Sequence, residues 1–219
     1  MNTVSRVALK RTCMRDRIRE VLVARILDGT YAAGTQLKEL SLAREFNVSQ
    51  TPIREALREL EGSGLVTSER FRGTRVRGAD SAEMRESYEL RTMLEMRSVS
   101  RAAPYTPQLL ADFDEYLTEM ESAVKANDSE RYIDAALRFH RRLVEGSGNR
   151  TFLSVWDSLL WDIRGRIALR KLAEKGRSLK SLVGLHRVLL TRLRAQDAAG
   201  AAELVSSILE RVSSAFGPE

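Results

Sequence analysis

Residues 47–65 read NVSQTPIREALRELEGSGL, and this stretch predicts the second helix of a helix-turn-helix. Ser49 is suited to cap the helix, because its hydroxyl can accept a bond from a free first-turn N–H group. Pro52 then falls in the first turn, where its missing donor has no cost. One face is apolar because hydrophobic residues recur at three- and four-residue steps, at Ile53, Ala56, Leu57 and Leu60. Gly62 and Gly64 end the pattern.

Polar side chains off the apolar stripe suggest what this helix does. Gln50, Thr51, Arg54 and Arg58 lie toward its start and away from the stripe. A short helix with an apolar back and a polar, basic front is the shape that enters a DNA major groove. The alternative is an ordinary surface helix, on which arginine and glutamate side chains are simply solvated.

Two shorter helices are predicted before this stretch. Residues 14–27 carry a helical apolar stripe. Residues 37–46 form a short helix whose inward-facing side chains are predicted to be Leu40, Ala43 and Phe46. Asn47 favours a left-handed backbone conformation and suits the turn that joins this helix to the next one.

A β-hairpin is predicted directly after the candidate DNA-reading helix. Residues 65–68 and 74–77 have strand character, and the hairpin turn lies between them at Phe71, Arg72 and Gly73. Arginines in this segment suit contact with phosphate or with the minor groove. A plain surface hairpin is the alternative, but its place directly after a helix-turn-helix favours a wing.

The net positive charge of the chain lies in its first part. Residues 1–78 hold 15 basic and 9 acidic residues, a net charge of +6, whereas residues 79–219 hold 21 of each. All of the excess positive charge therefore lies with the candidate helix-turn-helix. This distribution is expected of a phosphate-binding module joined to a neutral one.

Residues 79–219 read almost entirely as helix. Six helices are predicted, over 81–103, 107–126, 129–146, 150–173, 178–196 and 198–215. Antiparallel helices with short links form a bundle, and bundles place ligand sites between their helices. The predicted fold class is therefore mainly α, with a winged helix-turn-helix over 1–78 and an antiparallel all-helical bundle over 79–219.

The chain has two histidines, His140 and His186, and both lie on apolar helix faces. A histidine in this setting is usually a core residue, but two in one bundle also suit a ligand or a divalent metal ion. A zinc-like site needs at least three protein ligands, and the sequence offers no obvious third. Ala136, one turn before His140, would have been the place for a carboxylate.

Arg91 is a further polar residue predicted to face inward. It lies between Tyr88 and Leu94 on the first helix of the bundle. An arginine directed into a cavity suits a ligand carboxylate, which it can hold with two hydrogen bonds. The alternative is an internal ion pair with Glu95, one helical turn later.

The sequence gives little support for catalysis or export. No phosphate-cradling glycine loop followed by lysine, no metalloprotease helix motif and no distinctive Ser/His/Asp set is present. Cys13 is the only cysteine, which excludes an intrachain disulfide and favours a reducing compartment. No apolar run is long enough for a signal peptide or a membrane span, so a cytoplasmic protein is expected.

Two parts of the sequence resemble a known family of bacterial transcription regulators. LSLAREFNVSQTPIREALRELEGSGLV (40–66), followed by a glycine-containing hairpin, is similar to the winged helix of the GntR family. The second half resembles the FadR-type subfamily, which has an FCD ligand-binding domain. That likeness is carried by YELRTMLE (88–95), RFHRRL (138–143), GSGN (146–149) and LHRVLLTRLRAQD (185–197).

The resemblance implies a homodimer on an inverted-repeat DNA operator, tuned by a small-molecule effector that is often a carboxylate. It assigns DNA contacts to six residues, namely Ser49, Gln50, Thr51, Arg54, Arg72 and Gly73. Many members have Arg at the position of Gln50, and since Gln tends to read adenine rather than guanine, the base preference shifts there. Arg91, His140, Asn149 and His186 match positions of the effector pocket.

The resemblance also bears on the metal. Many members bind a metal through an Asp one turn before the first His, that His, and two later His. Here His140 and His186 match two of these positions, but Ala136 and Ile208 stand at the others. This pattern resembles members that bind a ligand without metal.

These observations predict a ligand-responsive transcription regulator, most often a repressor, and not an enzyme. One alternative is a metal-dependent enzyme built in the helical bundle, against which the missing ligands argue. Another is a sequence-neutral nucleic-acid binder, which would show no preference for an inverted repeat over scrambled DNA.

Overall fold

The first part of the described chain is a small helical unit with a three-stranded sheet. The computed structural model describes residues 14–27, 29–62, 64–69, 73–77, 81–159, 161–174 and 179–217. The chain divides into two units, Met1–Gly78 and Ala79–Glu219. Among the described helices, none is long and apolar enough to cross a lipid bilayer.

The first unit contains three helices and three strands. In chain order these are α1 (Met14–Leu27), β1 (Gln36–Leu37), α2 (Glu39–Glu45), α3 (Gln50–Gly62), β2 (Val66–Glu69) and β3 (Gly73–Val76). The antiparallel sheet has the order β1-β3-β2, with Val66 opposite Val76 and Gln36 opposite Arg75. Strand β1 was missed by sequence reasoning because two residues are too few to show an alternating pattern.

The core of the first unit lies against the apolar face of α3. All four predicted residues of that face, Ile53, Ala56, Leu57 and Leu60, are buried. The prediction for α2 was wrong in part, because Leu40 is 51% exposed and the buried residues are Leu42 and Ala43. The buried face is centred between these two, and at 100° per residue Leu40 lies about 110° away from that centre.

The second unit contains seven helices and no strand among its described residues. They are α4 (Ser81–Ala102), α5 (Pro107–Lys125), α6 (Ser129–Gly146), α7 (Arg150–Ser158), α8 (Trp161–Glu174), α9 (Leu179–Arg194) and α10 (Ala198–Ser213), followed by a 3-10 turn at Ser214–Phe216. Side-chain oxygens of Thr106, Asp128, Asn149 and Asp197 cap the starts of α5, α6, α7 and α10.

One predicted helix is in fact two. The span predicted as 150–173 is interrupted after Ser158, and α8 begins at Trp161. Trp156 and Trp161 are both buried, yet five positions apart on one continuous helix they would point about 140° from each other. The interruption allows both indoles to enter the core, and no glycine or proline in this segment marks it.

Helix α6 lies at the centre of the bundle. It contacts α4, α5, α7 and α8, and its buried residues cover most of its circumference. Polar side chains on the buried face of this helix, such as His140, are therefore enclosed between neighbouring helices.

Candidate DNA-binding surface and ligand cavity

The residues predicted to read DNA are exposed at the start of α3. Ser49, Gln50 and Thr51 are exposed, and the side chain of Arg54 is 51% exposed. Helix α3 begins at Gln50, so Ser49 stands at its cap position. These four residues therefore share one solvent-facing helix start, as the sequence predicted.

The wing residues are described only in part. Arg72 lies outside the described residues. Gly73 is the first residue of β3 and has φ +79°, a conformation that favours glycine. A Cβ atom at Gly73 would also lie 3.3 Å from Nε2 of Gln36. The glycine therefore has a structural role in the sheet, whatever it contacts on DNA.

Arg54 is held by an acidic residue of the preceding helix. Its Nε atom donates to both carboxylate oxygens of Glu39, at 3.2 and 3.1 Å, and Nη2 donates to Oε2 at 2.8 Å. This hydrogen bonding is the main reason that the pKa of Glu39 is lowered. The free protein thus presents Arg54 as one half of an exposed ion pair.

A small cavity lies within the helical unit, between α4, α6, α8, α9 and α10. Five residues singled out from the sequence line it together: Arg91, Ala136, His140, His186 and Ile208. The rest of its wall is formed by Tyr88 and Tyr132 and by the aliphatic side chains of Leu137, Leu169, Leu182, Leu209 and Val212. Its volume is about 20 Å³, which is room for about one water molecule.

Glu95 joins two of the predicted residues into one buried ionic network. Its Oε1 accepts from Nε of Arg91 at 2.6 Å and from the indole N–H of Trp156 at 3.2 Å. Its Oε2 lies 2.6 Å from Nδ1 of His140. Burial disfavours the carboxylate, but the Arg91 and His140 charges and hydrogen bonds outweigh it and lower the pKa of Glu95 to about 2.

The Arg91 guanidinium is also surrounded by aromatic rings. Its carbon Cζ lies 4.7 Å from the ring centre of Trp161, 5.5 Å from that of Tyr88 and 5.8 Å from that of Trp156. Of the two predicted roles for Arg91, the pair with Glu95 is therefore present. The hydrogen bond to Glu95 uses only the Nε atom of Arg91. Because Arg91 also lines the cavity, its guanidinium can still contact a ligand.

The two histidines meet inside the cavity. Their Nε2 atoms are 3.3 Å apart, and Nδ1 of His186 lies 2.8 Å from the carbonyl oxygen of Leu182. A carbonyl only accepts, so this Nδ1 carries the proton and Nε2 of His186 presents a lone pair. Burial is the main cause that lowers the pKa of His186 to about 3, and the neighbouring His140 lowers it further.

Asn149 is not brought to the cavity. Its side-chain oxygen accepts from the backbone N–H groups of Thr151 and Phe152, so it caps the start of α7. Asn149 is also absent from the residues that line the cavity. A helix cap already accounts for this residue, and its place in the effector pocket stays a prediction.

Sequence reasoning missed three residues of this site. Glu95 was considered as a partner of Arg91 but not of His140. Tyr88 shares a helix face with Arg91 and Glu95, at steps of three and seven residues, and this spacing was a usable signal. Tyr132 had no comparable signal, because an aromatic residue on an apolar face is usually a plain core residue.

The chain matches two protein-family models. Residues 14–76 match the model described as bacterial regulatory proteins of the gntR family, and residues 86–211 match the FCD domain. The gntR match lies within the first unit, and the FCD match lies within the second unit.

Curated relatives and solved structures agree with these matches. The chain is 28% identical to a probable D-xylose utilization operon transcriptional repressor of Paenarthrobacter nicotinovorans, over 86% of this chain and 82% of that protein. It is also 28% identical to a gluconate operon transcriptional repressor of Bacillus licheniformis, over 86% and 79%. A GntR regulator of Rhodococcus sp. RHA1 has the same fold, with a TM-score of 0.75 and 22% identity over 92% and 96% of the chains.

Proposed function

Because the chain belongs to the GntR family of bacterial regulatory proteins and carries an FCD domain, we propose that it is a repressor released by a small metabolite. The family places it among DNA-binding transcription regulators and not among enzymes. In this proposal the protein acts in the cytoplasm, where it binds an inverted-repeat operator. The effector is a small carboxylate that occupies the cavity of the helical unit.

The observation that supports DNA reading is the exposed start of α3. Ser49, Gln50 and Thr51 are exposed, and among the described residues Arg54 pairs with Glu39, whose side chain is 33% exposed. Side chains in this position can reach base edges when a recognition helix enters the major groove. Gln50 would read adenine, and Arg54 would exchange Glu39 for phosphate or a base edge.

The observation that supports a carboxylate effector is the cation in the cavity wall. Arg91 is buried and lines the cavity, and its bond to Glu95 is made by Nε. One relative is a repressor of a gluconate operon, and gluconate is a carboxylate. D-Gluconate is therefore the first effector to test.

A homodimer would match a two-fold symmetric operator. Apolar side chains on two neighbouring helices of the second unit support this proposal: Leu90 and Met93 on α4 are 39% and 58% exposed, and Val155 on α7 is 36% exposed. Sedimentation equilibrium measures the mass directly, and a monomer at micromolar concentration would contradict the proposal.

The experiment is a fluorescence-anisotropy titration of the protein against DNA from upstream of its own gene. A scrambled DNA of the same length is the control, and both are measured at two salt concentrations. We expect the upstream DNA to bind ~10³-fold more tightly than the control, and D-gluconate to reduce that binding. Equal, steeply salt-dependent affinity for both DNAs would instead indicate a sequence-neutral binder.

A further inference from the structure

Two buried tyrosine hydroxyls in the cavity wall have no ordinary partner. Tyr132 is fully buried, and its hydroxyl has no hydrogen-bond partner among the described residues. Tyr88 is 2% exposed, and its hydroxyl has only the nearby Arg91 guanidinium, which does not reach hydrogen-bond geometry. Buried polar groups are almost always hydrogen-bonded, so two such groups in one cavity point to a ligand.

The cavity suits a metal ion only in part. His140 and His186 present their Nε2 atoms 3.3 Å apart, and a carboxylate and a backbone carbonyl hold their Nδ1 atoms. Metal-bound histidines are usually oriented in this way. The remaining two positions that the family resemblance assigns to ligands are Ala136 and Ile208, whose side chains have no donor atom.

No other side chain supplies the missing donors. The described residues contain no group of three or more His, Cys, Asp or Glu that could hold a metal ion. Tyrosine would have to ionise to bind a metal well, but burial raises the pKa of Tyr88 to about 12 and raises that of Tyr132 further. Zinc sites use three or four protein ligands, so the residues of this cavity do not fit one.

We propose that the cavity binds a small hydroxy carboxylate directly, without a metal ion, and that Tyr88 and Tyr132 donate hydrogen bonds to it. This assignment rests on the proposed function, because it names the ligand class of the same cavity. Two phenolic hydroxyls and the Arg91 guanidinium are donors, and a carboxylate has the acceptor oxygens that they require.

The histidine pair is the reason that the proposed ligand carries a hydroxyl group. Nε2 of His186 presents a lone pair toward Nε2 of His140, and the latter is either a second lone pair or an N–H group. A ligand hydroxyl can donate to the Nε2 lone pair of His186, whereas a plain alkyl chain cannot. A hydroxyl on the same molecule as the carboxylate would therefore donate to His186, while the carboxylate accepts from Arg91 and the tyrosine hydroxyls.

Tyr132 also marks a route into the cavity. Besides the inner cavity, it lines a hollow of about 350 Å³ whose wall includes Asn127, Asp128, Leu179 and Lys180. The inner cavity holds about one water molecule, so a ligand of several heavy atoms requires neighbouring side chains to move. Because Tyr132 lines both spaces, displacement of its ring would connect them.

The test is isothermal titration calorimetry of the chelator-treated full-length protein with D-gluconate. Tyr88→Phe and Tyr132→Phe remove only the hydroxyls, and Tyr116→Phe, a half-buried tyrosine of α5 outside the cavity lining, is the matched control. We expect each cavity variant to bind D-gluconate at least tenfold more weakly, while Tyr116→Phe binds like the wild type. Thermal unfolding of all three variants shows whether the fold is retained.

Two further ligands separate the groups of the hydroxy carboxylate. Hexanoate has the carboxylate without hydroxyls, and D-xylose has hydroxyls without the carboxylate. We expect both to bind at least tenfold more weakly than D-gluconate. Equal binding of hexanoate would overturn the role of the hydroxyl, and equal binding of D-xylose that of the carboxylate.

A metal titration completes the experiment. Wild-type protein is expected to bind D-gluconate equally with chelator or with Zn²⁺, and to bind Zn²⁺ itself far more weakly than the double variant Ala136→Asp/Ile208→His, which supplies the missing donors. The proposal is overturned by a Zn²⁺ requirement, by unchanged affinity in both tyrosine variants, or by no binding of D-gluconate. None of these results affects operator binding without effector, which tests the proposed function separately.

Discussion

Two arginine–glutamate pairs, one in each unit, have the same chemical groups but differ in their exposure to solvent. Arg54 and Glu39 have side chains that are 51% and 33% exposed, and three hydrogen bonds of 2.8 to 3.2 Å join them. Arg91 and Glu95 are 3% and 0% exposed, and one bond of 2.6 Å joins them. The chemistry is the same, but one pair faces solvent and the other lies inside a helical bundle.

This difference decides what each pair can do. An exposed pair is weakened by water and by salt, so DNA can replace Glu39 as the partner of Arg54 at little cost. A buried pair cannot exchange partners in this way, because removal of one charge leaves the other without compensation. Arg54 can therefore change its partner when DNA binds, whereas Arg91 and Glu95 stay paired in the wall of the cavity.

The largest expected effect is on the buried pair. Glu95→Gln removes the charge that balances Arg91 and holds Nδ1 of His140, so the free energy of unfolding should fall by about 3 kcal/mol. Chemical denaturation measures it, with Glu89→Gln, an exposed position of the same helix, as control. A loss below ~1 kcal/mol would show that the buried pair is as dispensable as an exposed one.

Next in size is the effect of the exposed arginine on DNA. Arg54→Ala should weaken operator binding by ~10–100-fold, since a good bidentate contact is worth about 1–3 kcal/mol, with little change in unfolding. Anisotropy titration measures the affinity. Arg187→Ala removes an exposed arginine of the helical unit as a control for net charge. Equal losses in both variants would mean that α3 is not the reading helix.

Acid should destabilise the buried region. His186 has a pKa of about 3 in the folded protein and 6.5 as a free side chain, so the unfolded chain binds more protons between these values. The contribution of a neutral His186 to stability is therefore complete above pH 6.5, and it is lost as the pH drops toward 3. Glu95, with its pKa lowered from 4.5 to about 2, adds a second loss of stability as the pH drops from 4.5 toward 2.

Denaturation at pH 7.5 and 5.5 measures this effect. The free energy of unfolding should be about 1 kcal/mol lower at pH 5.5, since one pH unit is worth ~1.4 kcal/mol for one proton. His186→Gln should reduce the difference between the two pH values. A wild-type stability that is the same at both would contradict a neutral, buried His186.

The smallest expected effect is on the partner of Arg54. Glu39→Gln frees the guanidinium before DNA arrives, so operator affinity should rise by ~2–5-fold, as expected for the loss of an exposed ion pair. Glu55→Gln makes the same charge change at an exposed position of α3 and is the matched control. Weaker binding by Glu39→Gln would show that Glu39 positions Arg54 for DNA rather than competing for it.

The surface site was largely readable from the sequence. Its residues are neighbours on one helix, and the stripe of Ile53, Ala56, Leu57 and Leu60 determines which side faces the core. Ser49, Gln50, Thr51 and Arg54 then face solvent because a helix has a fixed 3.6-residue period. The same local rule predicted the helices of the second unit, except where α7 and α8 divide to bury two indoles.

The buried site needed the tertiary structure. The sequence by itself determined that Arg91, His140 and His186 lie on inward faces, because helical spacing is local. Only the packing of α4, α6 and α9 decided that Glu95 meets His140, 45 positions away, and that the two imidazoles are 3.3 Å apart. Distances between side chains of different helices depend on how those helices pack, and no spacing along one chain segment contains that information.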